Sequence, residues 1–330
     1  MAKFDLPLEQ LRTYLPEPVA PADFDEFWAA TLAEARRHEV LVAVEQVDDD
    51  LRLVETFDVT FAGFDGHPVR AWFSRPAGVS EPLPAVVEYL GYGRGRGLPG
   101  ERLTFPAAGY AHLLLDSRGQ GGQWGAGGDT PDPVGSGPAT PGFVTRGIED
   151  PASYYYRRLV TDAVRAVDAV RALPGVDPAR VAVVGNSQGG GLALATAGLA
   201  DGLAAVTAAA PFLCDIPRVL GLTDAEPYSE VVNYLSVRRG SVDAVRRTLS
   251  YVDNVNHVRR ATAPALLATG LHDTIGPPSG VFAAHNHYGA LTEPRPTTAI
   301  EVFPFNHHEG GEAFFTRTQL RFLREHLTTA

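Results

Sequence analysis

The strongest constraint on the fold is a set of short apolar runs that recur between helical stretches. "AVVEYLG" (85–91), "YAHLLLD" (110–116), "VAVVG" (181–185), "LAAVTAAAP" (203–211), "PALLATG" (264–270) and "TTAIEVFP" (297–304) each have strand length and little charge. A strand that is apolar on both faces must be covered on both. Such strands alternating with helices imply a mostly parallel central sheet with helices on each side, an α/β architecture. "LVTDAVRAVDAVRAL" (159–173) supplies one cover: Val160, Val164 and Val167 share a face, Arg165, Asp168 and Arg171 lie elsewhere, and Pro174-Gly175 ends the helix.

The first 80 residues read as an N-terminal extension. "PADFDEFWAATLAEARRH" (21–38) predicts a helix, with Pro21 and Asp23 near its start and basic residues in its last turn. "LRLVETFDVTF" (51–61) and "PVRAWFSRP" (68–76) alternate in hydrophobicity around "AGFDGH", which predicts an antiparallel pair. No repeat, heptad run or linker divides the chain, so residues 1–330 read as one domain. Two segments exceed a minimal sandwich. Residues 117–150 are rich in glycine and proline and lack periodicity, and loops of that length are usually functional or disordered. Residues 215–260 form a largely helical insertion before a late strand, placed where a lid could cover a site.

Charge and cysteine narrow the partners. The chain carries 39 acidic against 28 basic residues, a net charge of −11, and Lys3 is its one lysine. That balance argues against a partner that is a nucleic acid or an anionic membrane. A single cysteine, Cys214, excludes an internal disulfide and fits a reducing compartment. The N-terminus has no apolar core of a secretion signal. The longest apolar stretch, 189–214, is interrupted by Asp201 and ended by Pro211, so it reads as a buried helix and strand. A soluble, cytoplasmic protein is the expectation.

The chemistry centres on Gly185-Asn186-Ser187-Gln188-Gly189, a G-x-S-x-G run directly after "VAVV" and before a helical stretch. In that strand–turn–helix context the motif lifts a serine above the sheet edge as a nucleophile. A serine hydroxyl needs a base to take its proton and an acid to orient the base. Asp273 follows "PALLATG", and His307 and His308 follow "TTAIEVFP". The order Ser, Asp, His suits this architecture, and parallel strands put their carboxyl ends, hence all three loops, at one edge. Asp253 is a second acid, but it lies in the helical insertion. His272 precedes the acid and reads as support. The glycine stretch "LGYGRGRG" (90–97) follows a central strand, where such folds supply one oxyanion-binding amide; Gln188, after the nucleophile, supplies another.

Three decoys fall away. "GRGLPG" (95–100) spells a dinucleotide fingerprint, but Pro99 removes an amide and no helix follows. "HEGGE" (308–312) lacks the second histidine of a zinc motif, and His285 and His287 would point to different sides of a helix. Neither a metal nor an organic cofactor is expected.

"RGQGG" (118–122), "GNSQGG" (185–190) and "HE" (308–309) resemble the three signature blocks of the cephalosporin-C deacetylase and acetyl xylan esterase family, the seventh carbohydrate esterase family. "FDLPLEQLRTY" (4–14), "DFDEFW" (23–28), "YYYRRLVTDAVRAVD" (154–168) and "HDTIGPPSGVFAAHNH" (272–287) extend the likeness over nearly the whole chain. The resemblance implies an α/β-hydrolase fold in which Ser187 is the nucleophile, His308 the base and Asp273 its partner. It also implies an oxyanion hole from the amides of Tyr92 and Gln188, with Arg118, Gly119, Gln120 and Glu309 as supporting signature residues. The implied substrates are acetylated sugars, xylo-oligosaccharides and the 3′-acetoxymethyl group of cephalosporins. The implied assembly is a homo-hexamer whose sites face an interior cavity. This chain departs from the pattern in having Leu90 where some members place histidine, a doubled histidine, and a longer arginine-rich loop at the site's mouth. Two other readings share the fold. A peptidase of prolyl-oligopeptidase type needs a large gating domain, where some 80 residues precede the first core strand here. An inactive receptor would be free to lose residues that all stand in order.

Overall fold

Nine strands build a single sheet in the computed structural model, which describes residues 4–135 and 137–328. In chain order they are β1 (Leu41–Val47), β2 (Val54–Ala62), β3 (Pro68–Pro76), β4 (Leu83–Tyr89), β5 (Ala111–Leu115), β6 (Val176–Asn186), β7 (Ala205–Ala209), β8 (Ala265–Gly270) and β9 (Thr298–Phe303). Their spatial order is β1-β2-β3-β5-β4-β6-β7-β8-β9. The six strands from β4 to β9 run parallel, and β1, β2 and β3 add an antiparallel end that joins through β3 and β5. With helices on both faces, this is the α/β-hydrolase fold. Every residue of β5, β7 and β8 is buried, which is why those segments read as apolar on both faces.

The chain moves from β4 to β5 on one side and then to β6 on the other, so the order reverses between β4 and β6. A crevice opens at such a reversal, beyond the carboxyl ends of the strands. Loops 90–97 and 187–188 leave the two strands that flank it.

Three features go beyond the sequence reading, each with a physical cause. β6 begins at Val176, five residues before its apolar run, because its first half is a half-exposed approach to the core. β1 was not anticipated: it is an edge strand with Val42 and Val44 exposed, so burial leaves a weak pattern. The helix Tyr155–Ala172 is apolar on one face, but its other face is not in water. Arg158, Asp162 and Arg165 are buried there, against residues of the 117–150 segment and the N-terminal strands. The helix Phe24–Ala35 begins where the sequence placed it, and its Trp28 indole donates to the Tyr251 carbonyl of the insertion at 3.0 Å.

The insertion holds four α-helices, Ile216–Val219, Tyr228–Val237, Val242–Ser250 and Asn254–Val258, and a short 3-10 helix, Arg239–Ser241, between β7 and β8. Among the described residues, 117–150 contains no helix and no strand; its one ladder contact is a bridge from Trp124 to Arg94. No helix among the described residues is long and apolar enough to cross a membrane.

Candidate active site

Ser187 stands between the end of β6 and the helix Gln188–Leu199, with φ +59° and ψ −122°. A side-chain-bearing residue avoids that region, and surrounding contacts must impose it. They do: the Ser187 amide donates to Ala209 O at 2.9 Å, and its carbonyl accepts from Gly191 and Phe212 at 3.0 and 2.9 Å. The motif's glycines are steric necessities. A Cβ at Gly185 would lie 2.1 Å from the Gly189 carbonyl oxygen, and one at Gly189 would lie 2.0 Å from that of Tyr89.

The loops after β8 and β9 bring an acid and an imidazole to this turn. His308 Nε2 lies 2.8 Å from Ser187 Oγ, and His308 Nδ1 lies 2.8 Å from Asp273 Oδ2. Asp273 is fully buried, and its other oxygen accepts from the amides of Ile275 and Gly276, each at 2.8 Å. A carboxylate held on one oxygen presents the second in a fixed direction. Nδ1–H then donates to Asp273, which leaves Nε2 as the acceptor for the serine hydroxyl. His307 turns the other way, with Nδ1 2.9 Å from His272 O. Glu309 shapes this loop by accepting from the His307 amide at 2.9 Å and from the Asn306 side chain, whose hydrogen bond holds its carboxyl below the usual range. Asp253 lies elsewhere, capping the helix Asn254–Val258 and accepting from the amides of Asp215, Ile216 and Val255.

The amides of Tyr92 and Gln188 make no hydrogen bond among the described residues, and Gln188 is the first residue of its helix. Unpaired N–H groups at a helix start carry partial positive charge and suit a developing anion. Gln120 ties the two together. Its Oε1 accepts from the Gly93 amide at 2.7 Å, and its Nε2 donates to Tyr155 Oη and to Gln188 Oε1, both at 2.9 Å. Gly119, at φ +67°, donates its amide to Thr130 O at 2.7 Å. Arg118 is wholly buried. It grips Asp162 with two bonds and reaches Asp132, which Arg158 also holds. Burial alone would lower its pKa, but those two carboxylates outweigh burial and raise it.

Sequence reasoning did not assign Asp132, Tyr155, Arg158 or Asp162 to this network, and it missed a further residue that reaches Tyr92 itself. Glu230, on the helix Tyr228–Val237, accepts from Tyr92 Oη at 2.6 Å and from the Val144 amide at 3.2 Å. Burial pushes its carboxyl up to about 7. It therefore fastens Tyr92 to the 117–150 segment and to the insertion. A glutamate on an amphipathic helix gives no sequence signal of this kind.

Ser187 and His308 open onto a cavity of about 660 Å³ whose wall includes Tyr92, Arg94, Trp124 and Glu226. Pockets of this size bury small organic ligands. Among the described residues, no group of three or more His, Cys, Asp or Glu side chains is placed to hold a metal.

The profile of the family described as Acetyl xylan esterase (AXE1) matches residues 1–326. The chain belongs to the acetyl xylan esterase family. Two solved members are similar over their full length. An acetyl xylan esterase from Paenibacillus sp. R4 is 38% identical with a TM-score of 0.89, covering 98% of this chain and 100% of that one. Acetyl Xylan Esterase 1 from Thermoanaerobacterium sp. JW/SL YS485 is 31% identical with a TM-score of 0.88, over 98% and 100%. Acetyl esterase Axe7A of Xylanibacter ruminicola is 28% identical over 303 residues, 87% of this chain, and this acetyl xylan esterase family member spans 63% of that protein's length.

Proposed function

We propose that the protein removes acetyl groups from small acetylated carbohydrates through an acetyl-Ser187 intermediate. The observation that carries this reading is the continuous chain Asp273–His308–Ser187, with 2.8 Å at both links, beneath a strained serine at a helix start. Ser187 Oγ attacks the acetyl carbonyl as His308 Nε2 takes its proton. The carbonyl oxygen becomes an anion, and the amides of Tyr92 and Gln188 stabilise it. The tetrahedral centre collapses, the C–O bond to the sugar breaks, and His308 returns its proton to the departing alcohol. Water then attacks the acetyl-enzyme by the same route and releases acetate. Asp273 keeps the imidazole in the required tautomer throughout.

Acetylated xylo-oligosaccharides and the 3′-acetoxymethyl ester of cephalosporin C are the finer substrates of this reading, supported by the family and by the cavity's size. The homo-hexamer belongs to the same reading, and a monomer mass in light scattering would retire it. The decisive test is p-nitrophenyl acetate hydrolysis by Ser187→Ala. Turnover should fall by about four orders of magnitude or more. Wild-type turnover in that variant, or no labelling of Ser187 by a fluorophosphonate, would remove the mechanism.

A further inference from the structure

Two arginines leave β4 on the same glycine-rich loop, and the fold treats them in opposite ways. Arg96 is buried. Its guanidinium is held by Asp58 at 2.7 Å and Asp129 at 2.9 Å, and it lies 3.8 Å from the centre of the Trp72 ring. Arg94 is exposed, and its guanidinium makes no ion pair or hydrogen bond among the described residues. It faces the cavity that holds Ser187 and His308. Arg102, on the same wall, is neutralised by Glu88.

Beside Arg94 stands Trp124, paired to it by a backbone bridge and 60% exposed. The ledge that carries both is built from backbone. Gly97 donates to Gly127 O at 2.9 Å, and the amides of Gly121 and Gln123 both donate to Gly93 O at 3.3 Å. A Cβ at Gly95 would lie 2.3 Å from the Gly127 carbonyl oxygen, so only glycine lets the two loops meet this closely. The result is a firm platform that presents an open indole and an unpaired guanidinium at the mouth of the candidate active site.

Those two groups have complementary recognition chemistry. An indole face packs against a sugar ring or another flat ring, and a guanidinium fork fits a carboxylate. Elsewhere the chain, at −11, repels anions, so a carboxylate-bearing substrate needs a local cation. Glu226 on the cavity wall disfavours a carboxylate near it, which orients the anion toward the ledge. We propose that Arg94 and Trp124 form a leaving-group subsite that selects acetyl esters whose alcohol part carries a carboxylate close to a ring. This rests on the esterase reading above, and it names the substrate class: acetylated oligosaccharides with a uronic-acid branch, or bicyclic lactams with a ring carboxylate.

The test compares 4-acetoxybenzoate with its methyl ester, a matched anionic and neutral pair. The ratio of their kcat/KM values should fall about tenfold in Arg94→Gln, mainly through KM, and 0.5 M salt should lower it in the wild type. Trp124→Ala should weaken both substrates, and Arg52→Gln, at an exposed surface position, should leave the ratio unchanged. An unchanged ratio in Arg94→Gln overturns the proposal. A uronic-acid-branched acetyl xylo-oligosaccharide and 7-aminocephalosporanic acid, each against a neutral counterpart, then separate the two sources. The more Arg94-dependent one is the class served, and independence of both again overturns the proposal. Calorimetric binding of 4-hydroxybenzoate to Ser187→Ala, with and without Arg94→Gln, needs no turnover. Arg94-dependent binding without hydrolysis would refute the esterase reading and keep the anion subsite. Hydrolysis without Arg94-dependent binding would do the reverse.

Discussion

Residues 117–150 and residues 215–260 both interrupt the sandwich and both border the candidate site, yet opposite forces hold them. The first segment has no ladder of its own to satisfy its backbone. Buried charge organises it: Asp116 accepts from the amides of Arg96, Asp129 and Thr130, Arg118 grips Asp162, and Arg158 grips Asp132. The second segment satisfies its backbone within helices and is held by apolar contact, with Val231, Tyr234, Val245 and Leu249 buried. It even leaves a largely aliphatic cavity of about 740 Å³ beside Leu235 and Leu249. Directional bonds fix where a chain lies to within a fraction of an ångström, whereas apolar burial rewards area without fixing an angle. The two meet at Tyr92, where Glu230 of the insertion and the Phe143 and Val144 amides of the loop share one phenol oxygen.

The comparison is broken most directly at Arg118. Arg118→Met leaves Asp162 buried without its main partner, which should cost about 3–5 kcal/mol and loosen Gln120 with the loop that bears Tyr92. Denaturant unfolding and esterase assays should both register it. A loss below about 1 kcal/mol would show that the loop does not depend on buried charge. In the insertion, Leu249→Ala should cost about 2 kcal/mol, the low end for such truncations, because the side chain borders space into which neighbours can relax. Its kcat should stay close to wild type. A kcat loss as large as that of Arg118→Met would mean that the insertion, too, positions the chemistry.

The same contrast explains what could be read from the chain. Sheet strands were legible because two-sided burial writes itself into composition, as in β5, β7 and β8. Strand-end geometry was enough to bring Ser187, Asp273 and His308 toward one edge, and there the structure puts them in hydrogen-bond contact. The burial of the polar face of Tyr155–Ala172 was not legible, because its partners come from a loop with no periodicity to announce where it lands. Glu230 was invisible for the same reason. A buried carboxylate and a solvated one look alike until the residue opposite is known.

The smallest predicted effect separates the two regions by pH. In the loop, burial would raise Asp132, but its bonds to Arg158 and Arg118 win and hold it below 3.8. In the insertion, burial dominates: Asp253 rises to about 7, and Glu230 rises to about 7 despite hydrogen bonds from Tyr92 and Val144 and the nearby charge of Arg146, with Glu226 adding to the rise. A raised acid holds its proton in the folded state while the unfolded chain has lost it. Its stabilisation is therefore complete below about 4 and is lost as pH climbs through 7. A lowered acid stabilises above its unfolded value and loses that contribution only in more acidic solution. Between pH 5 and 8 Asp253 and Glu230 thus pull stability down. His257, lowered by burial to about 3, and His285 and His287, also lowered by burial, push it up until about 6.5. The acids' share is therefore read from the difference between wild type and variant. Glu230→Gln should remove a falling contribution of about 1 kcal/mol across that window, a value discounted for partial solvent screening. Asp132→Asn should lower the midpoint without changing the slope. A Glu230→Gln slope equal to wild type would mean that Glu230 is charged beside Tyr92 and that both segments are held by ion chemistry after all.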